Sequence, residues 1–272
     1  MPELPEVETV RRGLAPHLEG RRFSGVRIRD GRLRWPVSCH LGDLLAGQPI
    51  LALQRRGKYL LFRLPQGALL CHLGMSGSLR FVAPDVPPGK HDHLDLLLDR
   101  GPLLRFRDPR RFGAVLWSQE PDKHPLLARL GIEPLSGDFD PEYLFRATRD
   151  RPMPIKAFLM DAHRVVGIGN IYANESLFLA GLDPSLPAGR LTRPRCARLV
   201  ASIKDTLTRA IAAGGSSLRD FVDGNGNPGY FQQTYQVYGR AGEPCRLCGT
   251  LVRLSRQAGR ATFSCPKCQS RR

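Results

Sequence analysis

Apolar residues recur at three- and four-residue spacing near the start of the chain. Val7, Val10 and Leu14 share one face of a helix predicted over 3–14, and Pro5 suits its first turn. From Val26 to about Trp117 the pattern changes to short runs rich in Leu, Val and Phe, broken by Gly, Pro and Asp. Runs such as 50–54, 59–64, 94–98, 103–106 and 114–117 predict an antiparallel sandwich or barrel. The Pro-rich stretches 84–88 and 121–125 read as loops. After Pro134 the period becomes helical, with candidates at 141–148, 154–160, 170–180 and 193–213. The last of these puts Leu199, Ile203, Leu207 and Ala210 on one face. Residues 214–230, with five glycines, are too long for an ordinary connector and read as either a binding loop or a disordered segment. The tail 235–272 carries two strand-like runs, 251–255 and 260–264, around a turn at Gln257–Gly259.

Length and charge narrow the picture. A chain of 272 residues predicts about two domains with a small appendage. Its 42% hydrophobic and 24% charged residues exclude wholesale disorder. No apolar run approaches the ~18 residues of a membrane helix, so no membrane partner is expected. The opening MPELPEVET carries carboxylates where a secretory signal would be basic, which predicts no export. A net charge of +16 without a basic tail points first to nucleic acid. Lysine occurs only at 58, 90, 123, 156, 204 and 267, and arginine supplies the rest of the basic residues. A preference for arginine codons explains that equally well, yet each lysine is rare enough to inspect. The seven cysteines do not fit a disulfide framework, which would need an even count and a secretory signal; a reducing compartment, the cytoplasm, follows.

Four cysteines carry chemistry by their spacing alone. Cys245, Cys248, Cys265 and Cys268 form C-x2-C-x16-C-x2-C, four thiolates for tetrahedral zinc, with Gly249 easing the turn after Cys248. Four sulfurs leave no open coordination position, so one structural Zn2+ per chain is expected and no redox or nucleotide cofactor. Basic residues including Arg246, Arg253, Arg256, Arg260 and Lys267 surround the site against one acid, Glu243, which suits a hairpin lying on phosphates. Other residues admit two readings each. Pro2 is a helix start, or the N-terminal amine once Met1 is removed. Glu3, Glu6 and Glu8 lie where a helix dipole favours carboxylates. Lys58, between Gly57 and Tyr59, fits a turn; His72 fits a satisfied polar position; the short GIGN at 167–170 fits a phosphate-cradling turn.

Together these segments are no longer independent. PELPEVETVRRGL, RRGKYL (55–60), HLGMSGSLR (72–80), DPRRFG (108–113), PIKAFLMD (154–161), VVGIGNIYANESLF (165–178), PGYF (228–231) and the four-cysteine hairpin resemble the bacterial formamidopyrimidine-DNA glycosylase family over almost the whole chain, in order. One departure is Ala162-His163 after Asp161, where relatives commonly carry Gln or Asn first.

The resemblance implies a bifunctional enzyme that excises oxidised purines (8-oxoguanine, formamidopyrimidines) and then cuts the strand by β- and δ-elimination. It implies Pro2 as nucleophile and Glu3 as proton donor and acceptor, with Glu6 in support. Lys58, His72, Asn170 and Arg260 would hold the phosphates flanking the lesion, with Lys156 near the lesion site. Met75, Arg110 and Phe112 fall on the side chains that fill the void left by a flipped base. The implied fold is α+β: an N-terminal catalytic β-sandwich with its first helix (1–131), a helix–two-turn–helix domain (132–234) bearing a lesion-recognition loop (214–231), and a zinc-finger β-hairpin (235–272). The implied partner is double-stranded DNA holding oxidised purines or abasic sites, bound by a monomer in the bacterial cytoplasm at the nucleoid. Two competing readings remain: an endonuclease VIII-type glycosylase for oxidised pyrimidines, and a non-catalytic zinc-bearing protein that recognises damage without cutting. LPEVET and the long glycine-rich loop favour the purine enzyme.

Overall fold

A computed structural model describes residues 2–216 and 231–270. They fall into two compact units: one runs through Ala128 and resumes at Ala213, and the other comprises Arg129–Ala212 and the residues from Phe231 onward. These units cut the chain more coarsely than a three-part division does, because the cysteine hairpin packs with the helices of the second. The expected lesion loop, 214–231, lies outside the described residues over 217–230.

In the first unit, helix α1 (Leu4–Leu18) begins after Glu3 with Pro5 in its first turn and ends four residues beyond the predicted stop. Pro16 removes one helical N–H bond in the last turn, two residues before α1 ends. Leu4, Val7, Val10, Leu14 and Leu18 form the buried stripe; each contributes about 1.5–3 kcal/mol of burial. The strands are β1 (Phe23–Ile28), β2 (Ala52–Arg56), β3 (Tyr59–Leu64), β4 (Gly67–His72), β5 (Ser78–Val82), β6 (Asp92–Leu98), β7 (Leu103–Arg107) and β8 (Ala114–Ser118), with a short helix α2 (Leu41–Leu45) after β1. They pair antiparallel in two four-stranded sheets, β1-β6-β7-β5 and β2-β3-β4-β8. Phe23, Leu96 and Leu104 from one sheet and Phe62, Leu69 and Val115 from the other share a core with α1, so the alternative of sandwich or barrel resolves to a sandwich.

The predicted run 50–54 begins two residues before its strand. Ile50 pairs instead with the chain leaving α1, through the Gly20 N–H and the Arg21 carbonyl. The Pro-rich stretch 84–88 is held from below: Arg105, 2% exposed, donates to the Val86 and Pro87 carbonyls and pairs with Asp95. Burial opposes the Asp95 charge, but bonds from Arg29 and Arg105 prevail and lower its pKa to about 2.

The second unit contains α3 (Pro141–Thr148), α4 (Ile155–Leu159), α5 (Asn170–Leu179), α6 (Arg193–Ala212) and the hairpin β9 (Arg253–Gln257)–β10 (Arg260–Ser264). Asp140 caps α3 by accepting the Tyr143 N–H. Two successive turns join α4 to α5, closed by Asp161 N–H to the Phe158 carbonyl and by Arg164 N–H to the Asp161 carbonyl. Helix α5 is buried nearly all round and packs against α6 and β10. Among the described residues no helix is long and apolar enough to cross a membrane.

Candidate active site

Pro2 and Glu3 are buried at the entrance of α1. Glu3 and Glu6 form a reciprocal capping box, in which Glu6 Oε2 accepts the Glu3 N–H at 2.8 Å. The other Glu6 oxygen accepts the Ser216 N–H at 2.7 Å. The dipole reading treats the three N-terminal glutamates alike, whereas the structure separates them. Glu8 is bound by Arg11, Arg12 and Arg55; burial opposes its charge, but those arginines lower its pKa to about 2. Glu8 is therefore a structural anion, and Glu3 and Glu6 remain the pair beside Pro2.

Lys58 stands in the tight β2–β3 turn after Gly57. The β3–β4 register places Tyr59 opposite His72, with ring centroids 4.7 Å apart. His72 Nδ1 accepts the Gly74 N–H at 2.9 Å, which makes Nε2 the protonated nitrogen, a donor suited to a phosphate oxygen. Burial, then the nearby charges of Lys58 and Arg34, lower the His72 pKa to about 4, so the imidazole is neutral at physiological pH.

His72 lines an open pocket of about 580 Å³ with Arg34, Gly74, Met75, Arg111 and Phe112. Met75 is 39% and Phe112 42% exposed, unusual for large apolar side chains. The Arg110 guanidinium lies 5.3 Å from the Phe112 ring centroid. The three expected void-fillers thus share one patch of the sandwich. Gly74, at φ 63°, makes this possible: a Cβ there would lie 2.5 Å from the backbone between Phe112 and Gly113.

The other expected phosphate ligands belong to the second unit. Arg260 begins β10 beside the two-residue turn Ala258–Gly259 and is exposed. Its strand is clamped from beneath. The Lys156 ammonium donates to the Ala261 carbonyl at 2.8 Å and to Thr262 Oγ1 at 2.7 Å. Asn170 Nδ2 donates to the same carbonyl at 3.0 Å, and Asn174 Oδ1 accepts the Phe263 N–H. Lys156 is only 1% exposed, so it is placed to hold the hairpin more than to meet solvent. Glu175 adds an anchor by accepting three N–H groups, from Gln236, Val237 and Tyr238, while burial raises its pKa. At the departure from the family pattern, the turn closes without any Ala162 side-chain group: Asp161 accepts the His163 N–H, and the His163 ring bonds the Arg129 carbonyl.

The four hairpin cysteines bring their sulfurs within 4.8 Å of one another, with Cys245–Cys268 at 3.9 Å and Cys248–Cys265 at 3.5 Å. Zn–S bonds of about 2.3 Å in a tetrahedron place sulfurs roughly 3.8 Å apart, so the cluster fits one structural zinc ion. Cys245 and Cys265 also pack with Phe178, Val237, Val252 and Phe263, which couples the metal to the only core this hairpin has among the described residues.

Sequence reasoning passed over Asn174, Glu175, Arg34 and Asp108. Asp108 carried a local signal, since Asp-Pro at the head of a turn marks side-chain-to-backbone bonding. The others act through contacts distant in sequence.

A β-sandwich whose first helix opens on buried Pro2 and Glu3, a helix–two-turn–helix and a four-cysteine zinc hairpin define the zinc-finger class of DNA glycosylases. Family models match in the same order: "Formamidopyrimidine-DNA glycosylase N-terminal domain" over 1–115, "Formamidopyrimidine-DNA glycosylase H2TH domain" over 130–222, and "Zinc finger found in FPG and IleRS" over 242–271. The chain is 57% identical over 270 residues to a formamidopyrimidine-DNA glycosylase of Thioalkalivibrio sulfidiphilus, covering 99% of this chain and 100% of that one. The MutM (FPG) protein of Thermus thermophilus superimposes with TM-score 0.87 at 43% identity, covering 98% of each chain. A Lactococcus lactis FPG mutant in complex with Fapy-dG-containing DNA gives 0.90 at 34%, covering 99% and 100%. The chain belongs to the formamidopyrimidine-DNA glycosylase family.

Proposed function

We propose that the chain is a bifunctional DNA glycosylase and abasic-site lyase of base excision repair, removing 8-oxoguanine and formamidopyrimidines from duplex DNA. Its kinship with formamidopyrimidine-DNA glycosylases and the Fapy-dG complex of the L. lactis protein support this substrate class. The observation that carries the mechanism is the buried Pro2–Glu3 entrance of α1, fixed by the Glu6 carboxylate.

Removal of Met1 frees a secondary amine at Pro2, with an unperturbed pKa of about 7.7–8.0 that leaves a useful fraction unprotonated. The amine forms a bond to C1′ as the glycosidic bond breaks, and the base leaves with a proton; the amine then gives up its own N–H proton and the C1′–O4′ bond opens, its oxygen taking a proton from Glu3. The product is an iminium with no N–H to lose, so it stays cationic and acidifies the C2′ protons. Loss of one such proton expels the 3′ phosphate, a second elimination expels the 5′ phosphate, and water returns the amine. Lys58 and His72 in the first unit, and Asn170 and Arg260 in the second, hold phosphates. Met75, Arg110 and Phe112 occupy the gap left by the flipped nucleotide.

One chain supplies all these groups, which supports action as a monomer, working on nucleoid DNA in the bacterial cytoplasm. The test is borohydride reduction with an 8-oxoguanine duplex, which should trap a covalent complex through Pro2. An N-terminally extended protein should bind but neither trap nor cleave. Full cleavage by protein whose mass retains Met1 would overturn the assignment.

A further inference from the structure

Asp108 is 0% exposed and sits between the two loops that carry the void-filling side chains. Its Oδ1 accepts the Ser76 hydroxyl at 2.8 Å and the Arg110 N–H at 3.2 Å, and its Oδ2 accepts the Gly113 N–H at 2.8 Å. Ser76 Oγ also accepts the Arg110 N–H at 3.2 Å. Ser76 follows Met75, while Arg110 and Gly113 bracket Phe112. One carboxylate therefore binds both loops immediately beside all three side chains. Its main chain is held as well: the Asp108 N–H donates to the His91 carbonyl at 3.0 Å, and the Asp108 carbonyl bonds His93 Nε2 at 2.7 Å. Between Arg110 and Phe112, Arg111 adopts φ 58° and pairs with Asp30 at 2.6 Å, which fixes the kink that turns both neighbours outward.

We infer that Asp108 is a positioning residue that locks the Met75 loop to the Arg110–Phe112 loop, so that the three side chains enter the DNA as one preorganised wedge. This rests on the void-filling role proposed above and assigns what holds the wedge together. A stacking side chain lowers the cost of extruding a base only if its own ordering is prearranged; loose loops would have to be ordered at the moment of flipping. A carboxylate with neutral donors on both oxygens suits this task, because each bond to it is charge-assisted and, among the described residues, none is spent on a neighbouring cation.

The experiment compares single-turnover excision from a duplex with 8-oxoguanine opposite cytosine and from one with the lesion opposite an abasic analogue. Asp108→Asn keeps the shape but sets an NH2 against an N–H or O–H donor. It should lose about tenfold on the paired duplex and several times less on the unpaired one, where flipping costs less. Ser76→Ala removes a single bond and should give the same bias at about threefold, and it serves if Asp108→Asn does not fold. Phe112→Ala alone should show the paired-over-unpaired bias, and adding Asp108→Asn to it should cost less than about twofold more, because the wedge to be positioned is gone. Equal losses on both duplexes, or losses that multiply with Phe112→Ala, would overturn the Asp108 role while leaving the wedge intact. No bias in Phe112→Ala itself would overturn the void-filling reading and this inference with it.

Discussion

Glu6 and Ser216 are 210 residues apart in sequence, and a hydrogen bond of 2.7 Å joins them. Since the same carboxylate holds the Glu3 backbone, one side chain ties the proposed nucleophile to the first residues of the glycine-rich segment. Glu6→Gln has only one acceptor oxygen for two N–H groups. It should lower both base excision and abasic-site cleavage by roughly tenfold. Gly215 has φ 77°, and an added Cβ would lie 3.0 Å from Glu6 Oε1, so Gly215→Ala strains the loop backbone and crowds Glu6 while leaving both of its acceptor oxygens in place. It should reduce excision more than abasic-site cleavage. Single-turnover assays on both substrates check this, and the same pattern of loss in the two variants would refute the separation.

His72 should titrate near pH 4 in the free protein, followed by NMR of its ring proton. The ordinary value is 6.5, so the folded state favours the neutral ring; the stability this confers is complete above about pH 6.5 and is lost as pH falls through about 4. Lys58→Met removes one of the charges responsible. The His72 pKa should rise but stay below 6.5, because burial is the larger cause. A free-protein titration near 6.5 would refute the neutral-donor assignment.

Acid stability follows from Glu8 and Asp95, both lowered to about 2. Carboxylates depressed by arginine stabilise the fold above their ordinary values, and that contribution disappears as pH falls through about 2. Thermal midpoints should fall steeply below pH 4 and change little between pH 7 and 9.

Lys156→Met leaves hairpin acceptors short of a buried donor, at a cost of about 1–3 kcal/mol in denaturant unfolding. Its effect on DNA binding should run through Arg260. The salt-dependence slope should fall by about 1 in Arg260→Ala, and Lys156→Met should add little to that variant. Additive losses would instead make Lys156 an independent phosphate contact.

Metal analysis should find one zinc per chain. Chelation or Cys245→Ser should collapse the small core around Phe263 and weaken DNA binding, since metal affinity in such modules is folding free energy. The sandwich, with its separate core, should keep its thermal transition.

The sequence made α1, α3, α5 and α6 legible because their apolar positions keep helical period or their ends carry Pro and Asp. The zinc cluster was legible because its ligands are local pairs. β4 was harder to see: Ala68–Cys71 are all buried, without the alternation that marks a half-exposed strand. The supporting polar groups were the least legible. Asn174 and Glu175 look like any surface polar residues in sequence, and only the fold brings their hairpin partners, 61 to 89 residues away, into reach; the Asp-Pro at Asp108 marks a turn but not its bond to Ser76, 32 residues away.

The return of the chain to its first unit at Ala213 gives biosynthesis a schedule. At the ~5–20 residues per second of translation, the Ser216 amide is made some ~10–40 s after Glu6. Until then the bond from the Ser216 N–H to Glu6 cannot form, so the hold of the glycine-rich segment on the entrance of α1 comes late. Closure of the fold around the entrance of α1 is thereby ordered in time by nothing more than the position of a serine in the sequence.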